Sequence, residues 1–341
     1  MQEKRPKLSV IVPMWGVEKY IEKCARSLFE STLDDMEFVF VDDCTPDKSV
    51  DVLQRIMEEY PNRKKQTIIV RHEVNKGLPQ ARKTGVAVAH GEWITHCDSD
   101  DWVAPNMYEK MLATAASGGY DLVCCDFIYQ SDNEILWQPT YSENKTSEEL
   151  RKDLLAFNVS NAVWNKLVHR SIYDIHEIYY PKETMDEDDV FVCQWAYYAT
   201  RCGYVHECLY YHYANPESMT HVKDRKKILK GLNDMITNRK WIVNFLESQN
   251  DSDVTEAKLR YKLSVKQAIF ARGYGWNNYR GMLNTYPEAN KELLFSNSNS
   301  KLNRTFIFLM FISFPIPFYQ MAMRTLRGAR YITHKIRGKH G

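Results

Sequence analysis

Acidic residues gather at two places in this chain where their spacing suits chemistry. Asp98-Ser99-Asp100-Asp101 follows the apolar run Trp93 to Cys97, and carboxylates two residues apart in a turn can converge on one hard cation. Mn2+ or Mg2+ takes oxygen ligands and keeps positions open for phosphate oxygens, so a metal there would neutralise a diphosphate and stabilise its departure. The same four residues also suit a solvated acidic turn that caps the next helix. A second run, Asp186-Glu187-Asp188-Asp189, opens a segment of helical periodicity, where acids favour the helix dipole in any case. Crowding is expected to raise at least one carboxylate pKa toward the range a general base uses.

The elements that must position these residues follow from the apolar patterning. Short β-branched runs at 8–12, 37–41, 67–71, 92–97 and 121–129 alternate with helical periods at 17–30, 49–60 and 78–89, and Pro105 opens a further helix. This alternation predicts an α/β fold with a Rossmann-like, mostly parallel sheet flanked by helices. Ligands of such sheets sit at the carboxyl ends of the strands, which is where Pro13, Asp42 and Asp98 fall. Acids at neighbouring strand tips repel each other unless they share something positive. Beyond about residue 130 the alternation stops. Segments 147–157, 186–200, 223–247 and 254–271 read as helices and 204–213 as short strands, which predicts a mainly helical C-terminal extension.

Composition bounds the function. The chain has 341 residues, 44% hydrophobic and 26% charged, enough for a sizeable core. Its net charge of +1 carries no nucleic-acid signature. The 21 Tyr and 8 Trp offer flat apolar faces with polar tips, which suit either sugars or a core. Eight cysteines without a C-x-x-C pair, and an N-terminus that runs straight into a strand, imply a reduced, cytoplasmic protein. From Leu293 to Gly341 there are eight Lys or Arg and no Asp or Glu. Residues 305–341 combine aromatics and aliphatics with later basic residues. That pattern suits the membrane interface on the inner face of the cell membrane, or else a core-packing helix with a solvated basic end.

Six motifs occur in order. They are Ser9-Val10-Ile11-Val12-Pro13-Met14-Trp15, Val41-Asp42-Asp43-Cys44-Thr45-Pro46-Asp47, Asn75-Lys76-Gly77-Leu78-Pro79-Gln80-Ala81-Arg82, Asp98-Ser99-Asp100-Asp101, Trp164-Asn165-Lys166-Leu167 and Glu187-Asp188 with Phe191. In these the chain resembles glycosyltransferase family 2, of GT-A fold, over about residues 7–220. It departs from the family pattern at Gly16, where Asn is usual, and at Cys44, where Gly is usual. The resemblance is to the members that build bacterial surface polysaccharides.

It implies an inverting, metal-dependent transferase of hexosyl or N-acetylhexosaminyl groups. The donor would be a nucleotide-diphosphate sugar, a UDP-sugar foremost, and the acceptor a glycan or lipid-linked hydroxyl. Asp42 would accept from the base, Asp98 would touch the ribose and Asp100 would bind Mn2+ or Mg2+, with Asp101 beside it. Pro13, Lys76 and Gly77 would line the nucleotide. Arg82 would lie near the diphosphate or brace the acidic cluster. Asp188, with Glu187, would take the proton of the acceptor hydroxyl. His212 or His221, with Ser218 between them, could reach the metal or donor phosphate, or be plain strand and loop residues. Trp164 and Lys166 could shape the acceptor site or pack beneath the base.

The implied organisation is a catalytic domain at 1–220, split near 130 into nucleotide-sugar and acceptor sides, then a helical extension at 221–296 and a basic tail at 297–341. Two other classes compete: a nucleotidyltransferase, which would want a Gly- and Arg-rich loop after the first strand, and a nucleotide-sugar-binding module without a base. No Q-x-x-R-W element is present, so one sugar per encounter is expected.

Overall fold

A computed structural model describes residues 5–131, 134–137, 141, 145–215, 224–272 and 276–295. The chain divides into two compact units, Met1–Lys258 and Leu259–Gly341. The first begins with β1 (Leu8–Met14), α1 (Ile21–Phe29), β2 (Met36–Asp42), α2 (Ser49–Glu59), α3 (Pro61–Lys64), β3 (Thr67–Arg71), α4 (Leu78–Val88) and β4 (Trp93–His96). It continues through β5 (Trp102–Val103), α5 (Met107–Gly118), β6 (Leu122–Gln130), β7 (Ile135–Trp137), α6 (Ser147–Leu155), β8 (Lys166–His169), α7 (Ser171–Ile175), α8 (Glu187–Tyr198), β9 (Cys202–Tyr213) and α9 (Arg225–Ser248). α10 (Thr255–Ala271) opens just before the second unit, which contains α11 (Trp276–Asn284) and α12 (Asn290–Phe295).

One nine-stranded sheet runs β3-β2-β1-β4-β8-β6-β9-β5, with β7 on β6. The first four strands are parallel, Met14 standing opposite Asp42 and Ile11 opposite His96. β8 is antiparallel to both β4 and β6, and β9 returns parallel to β6. Every residue of β1 and β2 is buried, as expected of strands covered on both faces. The period of two sorts them. Val10, Val12, Phe38 and Phe40 face α1 and α2, whose Cys24, Leu28, Leu53 and Ile56 join the same cluster. Ile11, Val39, Val41 and Ile94 form the opposite cluster with Ala81 of α4. α4 can lie this close because Gly85 has no side chain; a Cβ there would stand 2.3 Å from Ile11 Cγ2. That approach sets Arg82, one turn earlier, beside the tip of β4.

The structure corrects two expectations and adds a strand that the sequence reading did not assign. The helix after Pro105 starts at Met107, with Asn106 as its N-cap. The short strands at 204–213 are one 12-residue strand, Cys202–Tyr213, whose pairing with β6 shifts register around Asp126. The segment Lys166–His169 is a strand, although its first residue is a lysine. α9 packs against α8 within the first unit, which runs on to Lys258.

Candidate active site

The site forms around a buried cation. Arg82 is 1% exposed. Its Nη1 donates to Glu187 Oε1 at 2.8 Å and to Asp188 Oδ1 at 2.6 Å, and its Nη2 donates to Asp98 Oδ1 at 2.9 Å. Three carboxylates from the β4 tip and the first turn of α8 therefore meet on one guanidinium. Burial alone would lower the Arg82 pKa, but the charges of Asp188, Asp98 and Glu187 outweigh it and hold the group protonated. The excess of negative charge shows in the carboxylates. Burial, with the neighbouring Asp188, pushes Glu187 well above its ordinary range. Burial also raises Asp188, with Arg82 opposing and Asp98 adding to the rise. Asp188 is the more accessible of the two, at 25% side-chain exposure against 8% for Glu187. Its second oxygen accepts from Val163 N at 3.2 Å.

Lys166 supports this arrangement through the loop before it, and Trp164 packs on β9. Lys166 Nζ is buried and donates to Ser160 O, Ala162 O and Asn165 Oδ1 at 2.7, 2.8 and 2.9 Å. It thereby shapes the loop that presents Val163 N to Asp188. Trp164 is 5% exposed and stacks on Tyr210 at 4.2 Å and on His212 at 5.3 Å.

Asp98 and its neighbours divide their work. Asp101 is a brace for β9, accepting from Tyr210 OH and Tyr213 N, both at 2.7 Å, and meeting His212 Nδ1 at 3.2 Å. Burial raises its carboxyl to about 7, with His212 opposing. Burial would lower His212, but Asp101 and the acids beyond it raise it. Asp100 points away from this brace, and Asn215 Nδ2 donates to its Oδ2 at 2.8 Å. Burial, then the charge of Asp98, raises Asp100. A pocket of about 270 Å³ opens beside it, lined by Lys19, Tyr20, Lys23, Asp100, Trp102 and Tyr213.

Among the described residues no three His, Cys, Asp or Glu side chains converge to hold a metal unaided. The donor set still fits a hard divalent ion. Asp98 and Asp100 offer carboxylate oxygens in mutual repulsion, and Mg2+ commonly takes one or two carboxylates with phosphate and water completing its shell.

The β2 tip is built differently. Asp42 is 1% exposed, its Oδ1 accepting from Thr45 N at 2.8 Å and its Oδ2 facing Arg71 Nε at 3.2 Å. Asp43 accepts from Lys76 N and Gly77 N, each at 2.8 Å, and meets His72 Nδ1 at 2.6 Å. It fixes the loop leading into α4, a role the sequence reading missed although Asp43 stood beside Asp42 in the motif. Pro13 is buried at the end of β1, opposite Val41. The two departures from the family pattern meet the same backbone demand with opposite results, Gly16 easing it and Cys44 bearing a strain that the usual Gly would not. Gly16 and Cys44 sit at φ 68° and 56°, in the left-handed region that Gly and Asn enter most easily. Ser218, His221 and the tail at 297–341 lie outside the described residues.

Residues 9–174 match the family model described as glycosyl transferase family 2. The chain belongs to glycosyltransferase family 2. It is 32% identical over 224 residues to the uncharacterized glycosyltransferase EpsJ of Bacillus subtilis (strain 168), covering 64% of each chain. It is 31% identical over 237 residues to the putative glycosyltransferase EpsH of the same organism, covering 67% of this chain and 66% of that one. The matched region thus spans just under two thirds of these relatives. The structure is similar to that of S. aureus TarS 1–349 in complex with UDP, with a TM-score of 0.59, 19% identity, and 95% and 92% of the two chains covered. At that identity the likeness shows the GT-A fold, in which this family 2 chain places Asp98, Glu187 and Asp188 on one arginine.

Proposed function

We propose that this protein transfers a glycosyl group from a nucleotide-diphosphate sugar, a UDP-sugar foremost, to an acceptor hydroxyl with inversion, using Mn2+ or Mg2+. The observation that carries the reading is the Arg82 guanidinium shared by Asp98, Glu187 and Asp188. It joins the strand tip suited to a donor to the carboxylate suited to a base.

In this reading the divalent ion, when bound, offsets the charge of the departing diphosphate. Asp100 would hold it, and Asp98 would meet the ribose beside it. Asp42 accepts from the base N–H, while Lys76 and Gly77 place backbone along the nucleotide. Asp188 takes the proton of the acceptor hydroxyl on the face opposite the leaving group, which gives inversion in one displacement. Its raised pKa makes it a stronger base than an exposed aspartate, and Arg82 keeps it oriented. Glu187, buried deeper, orients the same guanidinium. Among solved relatives by fold, S. aureus TarS has been crystallised with UDP-GlcNAc, and a Pyrobaculum calidifontis mannosyltransferase with GDP-Man and Mn2+.

A hexosyl or N-acetylhexosaminyl donor and a lipid-linked glycan acceptor of bacterial surface polysaccharide are the substrates we favour, with the protein in the cytoplasm. Residues 305–341 would dock it peripherally on the inner face of the membrane. No helix among the described residues is long and apolar enough to cross a membrane.

The test is a donor screen by thermal shift and hydrolysis with each ion, since a ligand that binds only the folded state raises its stability. A UDP-sugar should raise the melting temperature in the presence of Mn2+ or Mg2+, and Asp100→Asn should remove the metal's part of that rise. If no nucleotide-diphosphate sugar binds or is slowly hydrolysed with either ion, the reading fails. Release of pyrophosphate in place of a nucleoside diphosphate would assign a nucleotidyltransferase.

A further inference from the structure

α9 lies beyond the family match at 9–174 and contributes none of the residues described above. Two consecutive polar side chains on it nevertheless turn into the loop that leads to Asp188. Asn238 is 1% exposed, and its Nδ2 donates to Met185 O at 2.8 Å and Glu183 O at 3.3 Å. The same helix buries Ile236, Ile242, Val243 and Leu246. An amide among such neighbours is costly unless bonded, and both of its bonds go to this loop. Next to it, Arg239 Nη2 reaches Asp186 Oδ2 at 2.6 Å, with side-chain exposures of 18% and 19%. Its Nε also faces Asp189 Oδ2 at 3.9 Å.

The loop needs holding. Asp186 has φ 61°, a left-handed conformation that a non-glycine residue enters only under strain. It is also the N-cap of α8, immediately before Glu187 and Asp188. The backbone turn at Asp186 therefore sets the direction in which the first turn of α8 projects its acids. On the donor side, Gln80 Nε2 of α4 donates to Pro181 O at 3.0 Å. Residues 181–186 thus form a strap pinned by α4 at one end and by α9 at the other.

We infer that Asn238 and Arg239 are positioning residues for the transfer step. They hold the strained turn at Asp186 so that Glu187 and Asp188 meet Arg82 in the geometry the reaction uses. The inference rests on the proposed reading of Asp188 as base, and predicts that α9 is part of the catalytic machinery's support.

The experiment compares Arg239→Met, Arg239→Lys and Asn238→Ala in the full chain. For Arg239→Met, kcat should fall about 10- to 100-fold while the Kd for the donor changes by less than about threefold, as a misaimed reacting group costs rate before binding. Arg239→Lys should recover kcat to within about fivefold of the parent, because the cation is restored without the full fork. Hydrogen exchange reads the strap without reference to activity: amides 183–189 should exchange at least about tenfold faster in Arg239→Met and Asn238→Ala, with those of β1–β4 unchanged.

If Arg239→Met fails to fold, Asn238→Ala carries the same two readouts. Unchanged exchange at 183–189 overturns the inference, as does unchanged kcat in an active enzyme. Equal losses of donor binding and kcat with faster exchange throughout the sheet also overturn it, assigning a merely structural role. Faster local exchange in a chain whose parent transfers no sugar sustains the clamp and defeats the base reading.

Discussion

Two clusters of acids, one at the tip of β2 and one gathered on Arg82, are satisfied in different ways. At the tip of β2, Asp43 receives two backbone N–H groups and the ring of His72, and Asp42 receives the Thr45 N–H with Arg71 alongside. These acids spend their lone pairs on shaping loops. At the first turn of α8, Glu187 and Asp188 share one guanidinium with Asp98, and burial raises both. The same functional group braces loops where backbone N–H groups meet it, and is raised in pKa where three acids share one buried guanidinium. What an aspartate does here is decided by its donors.

The sharpest way to break that contrast is to neutralise one acid on each side. Asp188→Asn should lower kcat about 10²- to 10⁴-fold, the range for losing a general base. The fold should survive, because removing one of three crowded charges relieves repulsion. Thermal melting and steady-state rates check both halves. Transfer near the parent rate would move the base to another residue.

Removing the shared cation should hurt stability most. Arg82→Met leaves Asp98, Glu187 and Asp188 buried without their common partner. Breaking a buried ion pair from one side costs about 3–5 kcal/mol. Chemical denaturation measures it, and a loss under about 1 kcal/mol would mean that another group or bound ion already neutralises the cluster. By contrast, Asp43→Ala should cost about 1–3 kcal/mol, the penalty for leaving buried donors unsatisfied. Its kinetic signature should be a weaker donor affinity with kcat little changed, since the Lys76–Gly77 loop loses its anchor while the α8 acids keep theirs. A kcat loss as large as that of Asp188→Asn would erase the distinction between the clusters.

The parallel half of the sheet was legible because its strands are apolar on both faces and its acids sit at their ends. Thr67–Arg71 matches its predicted span, and β1, β2 and β4 lie where the apolar runs placed them. The acids at 98 and 188 were expected in one site, and Arg82 brings them together. The second half was harder for physical reasons. β8 hides behind Lys166, whose ammonium is buried but satisfied by three oxygens, so its sequence reads as polar surface. β9 alternates Tyr and His with other residues and breaks register at Asp126, which fragments its period of two. The parts played by Asn215, Asn238 and Arg239 depend on what lies across the fold, and nothing in their local sequence marks them.

A further expected effect is a change in how stability depends on pH. Asp189 follows Glu187 and Asp188 in the first turn of α8, and burial, with the charge of Asp186 adding and Arg239 opposing, raises its carboxyl to about 7. An unfolded aspartate titrates near ~4. Between those values the folded chain binds the Asp189 proton and the unfolded chain does not. Stability from this group is therefore full below about pH 4, falls as pH rises through the window, and stays reduced above about pH 7. Asp189→Asn cannot titrate, so the fall in stability from pH 5 to 8 should be shallower in the variant, by roughly 2–3 kcal/mol across the range. Denaturant midpoints at several pH values for both chains give the difference directly, the titration of Asp186, which interacts with Asp189, included. Parallel curves would mean that Asp189 stays ionised in the fold. The charge on the α8 side would then be met as completely as it is at the β2 tip, and the two clusters would no longer differ in kind.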